Sequence, residues 1–286
     1  MLKIALVVID GENDFCDPKG TLFVQNADKE VELVANMIRR LKDDKSPIGH
    51  RLVQIHATVD THHRNDIAHP QFWKDQNGNH PNPFTIISVD DVKNQVWRPC
   101  VVGFSQKDAV EYVEKLAQRG RNPLCIWPIH CEISTWGSNI HPTLKAAYDV
   151  WTDSTRAWIS YWNKGEYQFS EHYSAIQADV ISDKPGAQGT KLNLNFLNAL
   201  NGMDKIVWCG WAGSHCLKWT MKDAVDHFGS DKNPFVQKSV VLTDCTAPVV
   251  APDAAVSKMF ADWRQTFLDE MSNRGAELTT SVDFLK

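Results

Sequence analysis

The run Ile4-Ala5-Leu6-Val7-Val8-Ile9 narrows the available folds more than any other stretch of this chain. It is continuous, apolar and rich in β-branched residues. A strand with one wet face alternates apolar and polar positions. A run with no polar position instead suits a strand buried on both faces, as in a parallel sheet covered by helices. The run ends directly on Asp10, which places a carboxylate at the mouth of a buried strand. It is too short for a secretory h-region, lacks a cleavage site and is expected to belong to the folded protein.

The rest of the chain alternates in the same manner. Val31, Val34, Ile38 and Leu41 recur at helical spacing, which predicts an amphipathic helix over Asp28 to Lys42. Leu52 to Val59 reads as a second strand ending at Asp60. Residues 61–105 are polar and rich in Pro, His and Asn, and contain one strand-like piece, Phe84 to Val89. This is read as a long excursion from the sheet, and loops of that length are usually functional. Ala109, Val113, Leu116 and Ala117 mark a helix that stops near Gly120. Leu124 to Trp127 is read as a short third strand closed by Pro128, and Pro142 to Trp162 as helical. Pro185 to Thr190 is a surface turn. Lys205 to Gly210 is a strand, Ser214 to Phe228 a helix, Gln237 to Leu242 a strand and Ala254 to Arg274 a terminal helix. The expected fold is therefore α/β: a doubly wound, mostly parallel sheet with helices on both faces, in a single domain over 1–286 with insertions near 61–105 and 177–195.

Composition removes several function classes. A net charge of -5 over 286 residues argues against nucleic-acid binding. No apolar run approaches the length of a membrane span. The seven cysteines form no Cys-x-x-Cys pair, which fits reduced thiols and a cytoplasmic setting. No Gly-x-Gly-x-x-Gly follows the first strand, Pro185 to Lys191 lacks Walker A spacing, and there is neither a His-Glu-x-x-His nor a Gly-x-Ser-x-Gly.

Ligands of doubly wound sheets sit beyond the carboxyl ends of the strands. The residues there are Asp10, Asp60, Trp127 to Cys131 and Gly210 to Cys216. Cys216 follows a strand and opens a helix, where free N–H groups and the helix dipole favour a thiolate and could receive an oxyanion. A buried structural thiol is the other reading. Asp10 is either a working carboxylate or a cap. Asp60-Thr61-His62 presents two ligand types that suit Zn, Fe or Mn, and His130 could add a third; a solvating His-rich loop is the alternative. Lys164, taken alone, reads as a surface charge.

Together these pieces resemble the nicotinamidase/isochorismatase-like cysteine hydrolases. The matching blocks are Val8 to Cys16 with Gly20 to Val24, then Asp60-Thr61-His62, Trp127-Pro128-Ile129-His130-Cys131, Lys164-Gly165 with Tyr173-Ser174, and Gly210 to Cys216. The Asp-x-His and Trp-Pro-x-His-Cys blocks look like the metal-binding nicotinamidase branch; isochorismatases are expected to lack that set. The resemblance implies a three-layer αβα fold and a catalytic triad of Asp10, Lys164 and Cys216. It implies metal ligands Asp60, His62 and His130, with zinc first and Fe or Mn as alternatives. It also implies an oxyanion hole from the N–H groups of Ala212 and Cys216 beside a cis Trp211–Ala212 bond, and Phe15, Trp127 and Tyr173 around a flat heterocycle. The implied reaction converts nicotinamide to nicotinate and ammonia through a thioester, a step of NAD salvage. Members of the family often form homo-oligomers. Two stretches depart from the pattern: Glu132 to Gly137 replaces a Gly-Thr-Pro-Gly-like turn, and His62 to Pro70 replaces a short Asp-x-His-Pro loop. Another small amide or N-carbamoyl substrate is the alternative these changes raise. A non-catalytic metal-binding interaction domain is the alternative from another class.

Overall fold

A computed structural model describes residues 2–42, 50–229 and 232–286. Its centre is a sheet of β1 (Leu2–Ile9), β2 (His50–Asp60), β3 (Ile159–Lys164), β4 (Lys205–Gly210), β5 (Ser239–Leu242) and β6 (Glu277–Thr279). The spatial order is β6-β5-β4-β1-β2-β3, and every pairing is parallel. Around it run α1 (Ala27–Lys42), α2 (Gln106–Gln118), α3 (Pro142–Thr155), α4 (Leu194–Asn201), α5 (Cys216–His227) and α6 (Ala254–Arg274). The doubly wound α/β expectation holds.

β1 is the axis of the sheet. Ile4 to Ile9 are fully buried, between β2 on one side and β4 on the other. The chain builds β1, β2 and β3 outward in one direction, then returns to the far side of β1 and builds β4, β5 and β6 in the other. The strand order thus reverses between β1 and β4. Such a switch point opens a crevice at the carboxyl ends of the strands. α1 buries Val31, Val34, Ile38 and Leu41, the positions its spacing predicted, and packs against α3.

Three expectations are corrected. Leu124 to Trp127 is not the third strand of the sheet. Only Leu124–Cys125 is extended, and it pairs antiparallel with Ile86–Ile87 in a separate two-stranded piece. The Phe84 to Val89 stretch is a strand only at Ile86–Ile87, because Ser88 forms a capping box with Asp91 and starts a helix over Val89–Lys93. The helix predicted over Pro142 to Trp162 ends at Thr155, where Arg156 takes a left-handed conformation; the chain then forms β3. β3 lies at the sheet edge, and its half-wet mixture of Ser, Tyr, Trp and Asn gives no clean two-residue alternation. Among the described residues no helix is long and apolar enough to cross a membrane.

Leu6 is fully buried, against Ile55 of β2 and Val207 of β4. Leu6→Ala is expected to cost about 2–5 kcal/mol of stability in urea unfolding. Val102→Ala, at a side chain 94% exposed, is expected to stay within about 0.5 kcal/mol.

Candidate active site

Four strand ends deliver the candidate residues to one place. Asp10 follows β1, Asp60 closes β2, Lys164 closes β3, and Cys216 opens α5 six residues after β4 ends at Gly210. Asp60 and Lys164 are paired in register across β2 and β3. Lys164 is 2% exposed, and its ammonium reaches three groups. Nζ lies 3.0 Å from Asp10 Oδ2, 2.8 Å from Asp60 Oδ1 and 3.6 Å from Cys216 Sγ. The lysine that reads as a surface charge in isolation is thus the most buried cation of the site. Sequence periodicity could not reveal this, because β3 itself went unrecognised.

Local structure aims these groups. Asp10 has φ 48°, so the chain turns sharply as it leaves β1. Its N–H donates to Thr58 Oγ1 at 2.9 Å, and that hydroxyl donates back to Asp10 Oδ1 at 2.5 Å. Gly165 has φ 86°, and a Cβ there would lie 3.0 Å from Thr61 O and 3.1 Å from Asp60 Oδ1. The turn after Lys164 therefore requires glycine to pass beside the carboxylate. The Trp211–Ala212 peptide is cis, and the N–H groups of Ala212 and Cys216 donate to no acceptor among the described residues.

The two carboxylates differ electrostatically. Burial raises Asp10 above the ordinary carboxyl range, with Lys164 opposing. Burial also pushes Asp60 up, but His62 and Lys164 outweigh it and hold Asp60 well below its usual value. Lys164 loses hydration by burial, yet Asp10 and Asp60 keep its pKa well above the ordinary one. Burial raises the Cys216 thiol well above its usual pKa, with Lys164 opposing. The helix-start position of Cys216 is as expected, but the depressed thiol pKa predicted from it is not found. A dipole contribution of about 0.3–2 kcal/mol is smaller than the desolvation of a buried thiolate.

Asp60 also belongs to a second cluster. Its Oδ2 lies 3.0 Å from His62 Nε2 and 3.5 Å from His130 Nε2. Ligand atoms of Asp60, His62 and His130 all fall within 4.8 Å of one another, and the three residues are buried. The remaining ring nitrogens are engaged outside the cluster. His62 Nδ1 is 3.1 Å from Asp66 Oδ2, and His130 Nδ1 is 2.9 Å from the Pro128 carbonyl. The hydrogen bond to the Pro128 carbonyl fixes the tautomer that presents His130 Nε2 to an ion, and the Asp66 carboxylate supports His62 electrostatically. The donor set, its burial and this support fit a divalent metal.

A cavity beside these clusters is lined by Phe15, Trp127 and Tyr173, and by Leu22, Ala212 and Val249. Trp127 Nε1 donates to the Tyr173 hydroxyl at 3.0 Å. Two further residues line it that sequence reasoning missed. Glu171 is buried; its Oε1 accepts from His172 N–H at 2.7 Å, its Oε2 has no partner among the described residues, and burial raises its pKa to about 8 with His62 opposing. His215 is packed against Trp127, Tyr173 and Phe260, and burial lowers its pKa to about 3. Glu12, also missed, is fully buried and accepts a hydrogen bond from the Asp60 N–H. The signal for Glu171 lay in Ser170-Glu171-His172-Tyr173, a polar stretch without periodicity next to a matched block.

No family model matches the chain. In sequence it is similar to the nicotinamidase of Escherichia coli K12, at 27% identity over 282 residues, 98% of this chain and 96% of that protein. It is similar to the nicotinamidase of Saccharomyces cerevisiae at 25% over 254 residues, 89% of this chain and 92% of that one. Among solved structures, yeast nicotinamidase Pnc1p bound to the inhibitor nicotinaldehyde superposes with a TM-score of 0.61 at 18% identity, covering 97% of this chain and 99% of that one. Pyrococcus horikoshii pyrazinamidase in complex with zinc gives 0.50 at 20% identity, covering 97% and 98%. The fold is that of the isochorismatase-like hydrolases. The two curated proteins it is similar to in sequence are both nicotinamidases.

Removing the carboxylate that supports His62 tests the metal reading. Asp66→Ala is expected to weaken zinc binding about 10–100-fold in competition with a chromophoric chelator.

Proposed function

We propose that the chain is an amidohydrolase that converts nicotinamide to nicotinate and ammonia through a thioester on Cys216. The observation that carries this reading is the single buried ammonium of Lys164 in contact with Asp10, Asp60 and Cys216 together. The similarity to two nicotinamidases supports the substrate class.

The chemistry follows from the electrostatics. The thiol is neutral at rest, and the raised pKa of Asp10 makes it a better base than an ordinary carboxylate. Asp10 takes the Cys216 proton as sulfur attacks the carboxamide carbon. The N–H groups of Ala212 and Cys216 hold the oxyanion, at about 3–4 kcal/mol for such a donor. Asp10 returns its proton to nitrogen as the C–N bond breaks and ammonia leaves. It then accepts a proton from the water that attacks the thioester and returns it to sulfur as the C–S bond breaks, which regenerates the thiol and the ionised Asp10 and releases nicotinate. Lys164 stays cationic throughout and keeps Asp10 beside the sulfur. Phe15, Trp127 and Tyr173 sandwich and orient the aromatic ring. Asp60, His62 and His130 would hold a divalent ion, zinc first, which when bound supplies a Lewis-acid centre with open positions. The zinc complex of the pyrazinamidase neighbour supports that choice.

A second reading keeps the chemistry with another small amide or N-carbamoyl substrate. It is favoured by the replaced turn, since Glu132 bridges to His62 and a cleft lined by Arg64, Glu132 and Trp136 borders His130.

Purified protein is expected to release ammonia stoichiometrically with nicotinate from nicotinamide. Cys216→Ala is expected to lower kcat by about 10⁴-fold or more while leaving metal content unchanged. Persistent turnover in that variant would remove the nucleophile assignment, and a stronger signal from other amides in a panel would favour the second reading.

A further inference from the structure

An N–H group stabilises an oxyanion only if it is held within about 2.7–3.1 Å of the developing charge. The Trp211–Gly213 stretch that carries Ala212 is tied at three points. Trp211 N–H donates to Ile9 O at 3.0 Å. Gly213 N–H donates to Ala247 O at 3.0 Å, and a Cβ on Gly213 would fall 2.3 Å from Thr246 O, so the two loops are in close contact. The third tie comes from Glu30, in the first turn of α1 and distant in sequence. Its Oε2 accepts the Trp211 indole N–H at 2.7 Å and the Ala247 N–H at 3.2 Å. One carboxylate oxygen therefore joins both sides of the loop pair. Trp211 is fully buried, which leaves its indole little other freedom.

We propose that Glu30 is a positioning residue of the oxyanion pocket: by clamping Trp211 to Ala247 it fixes the direction of the Ala212 N–H. This rests on the thioester reading above. Glu30 is not among the residues that line the cavity, so it acts through Trp211 and the 246–247 segment.

The clamp is titratable. Burial raises Glu30 from 4.5 to about 6; its hydrogen bonds to Ala247 and Trp211 and the Arg264 guanidinium oppose this, and Asp244 adds to it. The titratable groups packed around it are Arg264 from α6, Asp244 and Cys245 from the turn after β5, Cys209 of β4 and Cys16 of the short Asn13–Cys16 helix. The folded pKa is above the unfolded one. The stability Glu30 contributes is therefore fully present below about 4.5 and is lost as pH rises through about 6. The clamp itself runs the other way, because an ionised carboxylate is the stronger acceptor. Turnover that depends on it should rise through the window in which stability falls, a divergence that a purely structural role would not produce.

Glu30→Gln and Glu30→Ala test this. Gln keeps an acceptor oxygen but does not ionise, so its kcat at pH 8 is expected to fall toward that of the parent with Glu30 protonated and to lie between the parent and Glu30→Ala, with the Glu30 contribution to the limb near pH 6 removed. Ala is expected to lower kcat about 10–100-fold with KM within about 3-fold. Its affinity for nicotinaldehyde should fall by the same factor, since the thiohemiacetal oxyanion needs the same N–H, while iodoacetamide alkylation of Cys216 stays at the parent rate. A folded Glu30→Ala enzyme with kcat within 2-fold of the parent overturns the proposal. So does one that loses turnover but binds the aldehyde unchanged. The clamp is also read without substrate: the Trp211 indole N–H resonance, assigned with Trp211→Phe, is expected to titrate near pH 6 in the parent and not in Glu30→Gln. If the parent turns over no amide, the thioester reading fails while this signal still judges the clamp. An indole N–H resonance that is the same in the parent and in Glu30→Ala defeats the clamp whatever the enzyme hydrolyses.

Discussion

The site is organised around one buried ammonium. An isolated lysine taken out of water would lose its proton, because desolvation disfavours the charged form. Lys164 avoids this by lying between Asp10 and Asp60. The arrangement has one cation and two carboxylates, so it would carry an excess negative charge if it ended there. It continues through the far oxygen of Asp60 to His62 and His130, where positive charge can be placed. Asp60 is thus shared between a nucleophile cluster and a metal-type cluster, and neither is electrostatically complete without the other. Removing one member of such a set leaves an uncompensated buried charge, typically a loss of about 3–5 kcal/mol.

How much of this could be read from the chain alone differs between the two halves of the sheet. β1 and β4 carry buried apolar runs, Ile4 to Ile9 and Ile206 to Gly210, and Asp10 and the Cys216 helix follow from them directly. The half of the sheet that carries Lys164 was hidden. β3 is an edge strand with Tyr161 facing out and Trp162 stacked on Phe196, and its pattern merges with the preceding helix. The run Leu124 to Trp127, more strand-like by composition, went to a small antiparallel piece instead. Lys164 was therefore assignable only through the family resemblance, never through periodicity. The supporting shell of Asp66, Glu12 and Glu171 was hidden for another reason. A buried carboxylate is defined by what surrounds it in space, and its neighbours here come from segments distant in sequence.

The two aspartates show how one ammonium can serve unlike partners. Both are deeply buried, so desolvation acts on each in the same direction. Their difference comes from the second neighbour: Asp60 has two imidazoles, whereas Asp10 has a hydroxyl and a thiol. Asp60 is consequently held charged, and Asp10 is left nearer to accepting a proton. Pairs of titratable groups pushed apart in this manner mark an acid–base assignment. On the proposed chemistry Asp10 is the group that must gain and lose a proton twice per turnover, and it is the one whose environment permits it.

The thiol completes that logic. A helix start alone would favour a standing thiolate at Cys216, and a standing thiolate would not need Asp10 to remove a proton. The buried position reverses the balance, because two nearby carboxylates and the loss of water outweigh the dipole and Lys164. A thiol that is neutral until substrate arrives is also protected, since oxidation follows thiolate character and exposure. The cost is that sulfur can attack only while a base within reach accepts its proton. On the proposed chemistry deprotonation and attack are one coupled event, with the backbone N–H groups of Ala212 and Cys216 receiving the charge that leaves sulfur. The direction of those N–H groups therefore matters more here than in a site with a preformed thiolate, and the precision of the Trp211–Gly213 loop becomes part of the nucleophile's activation.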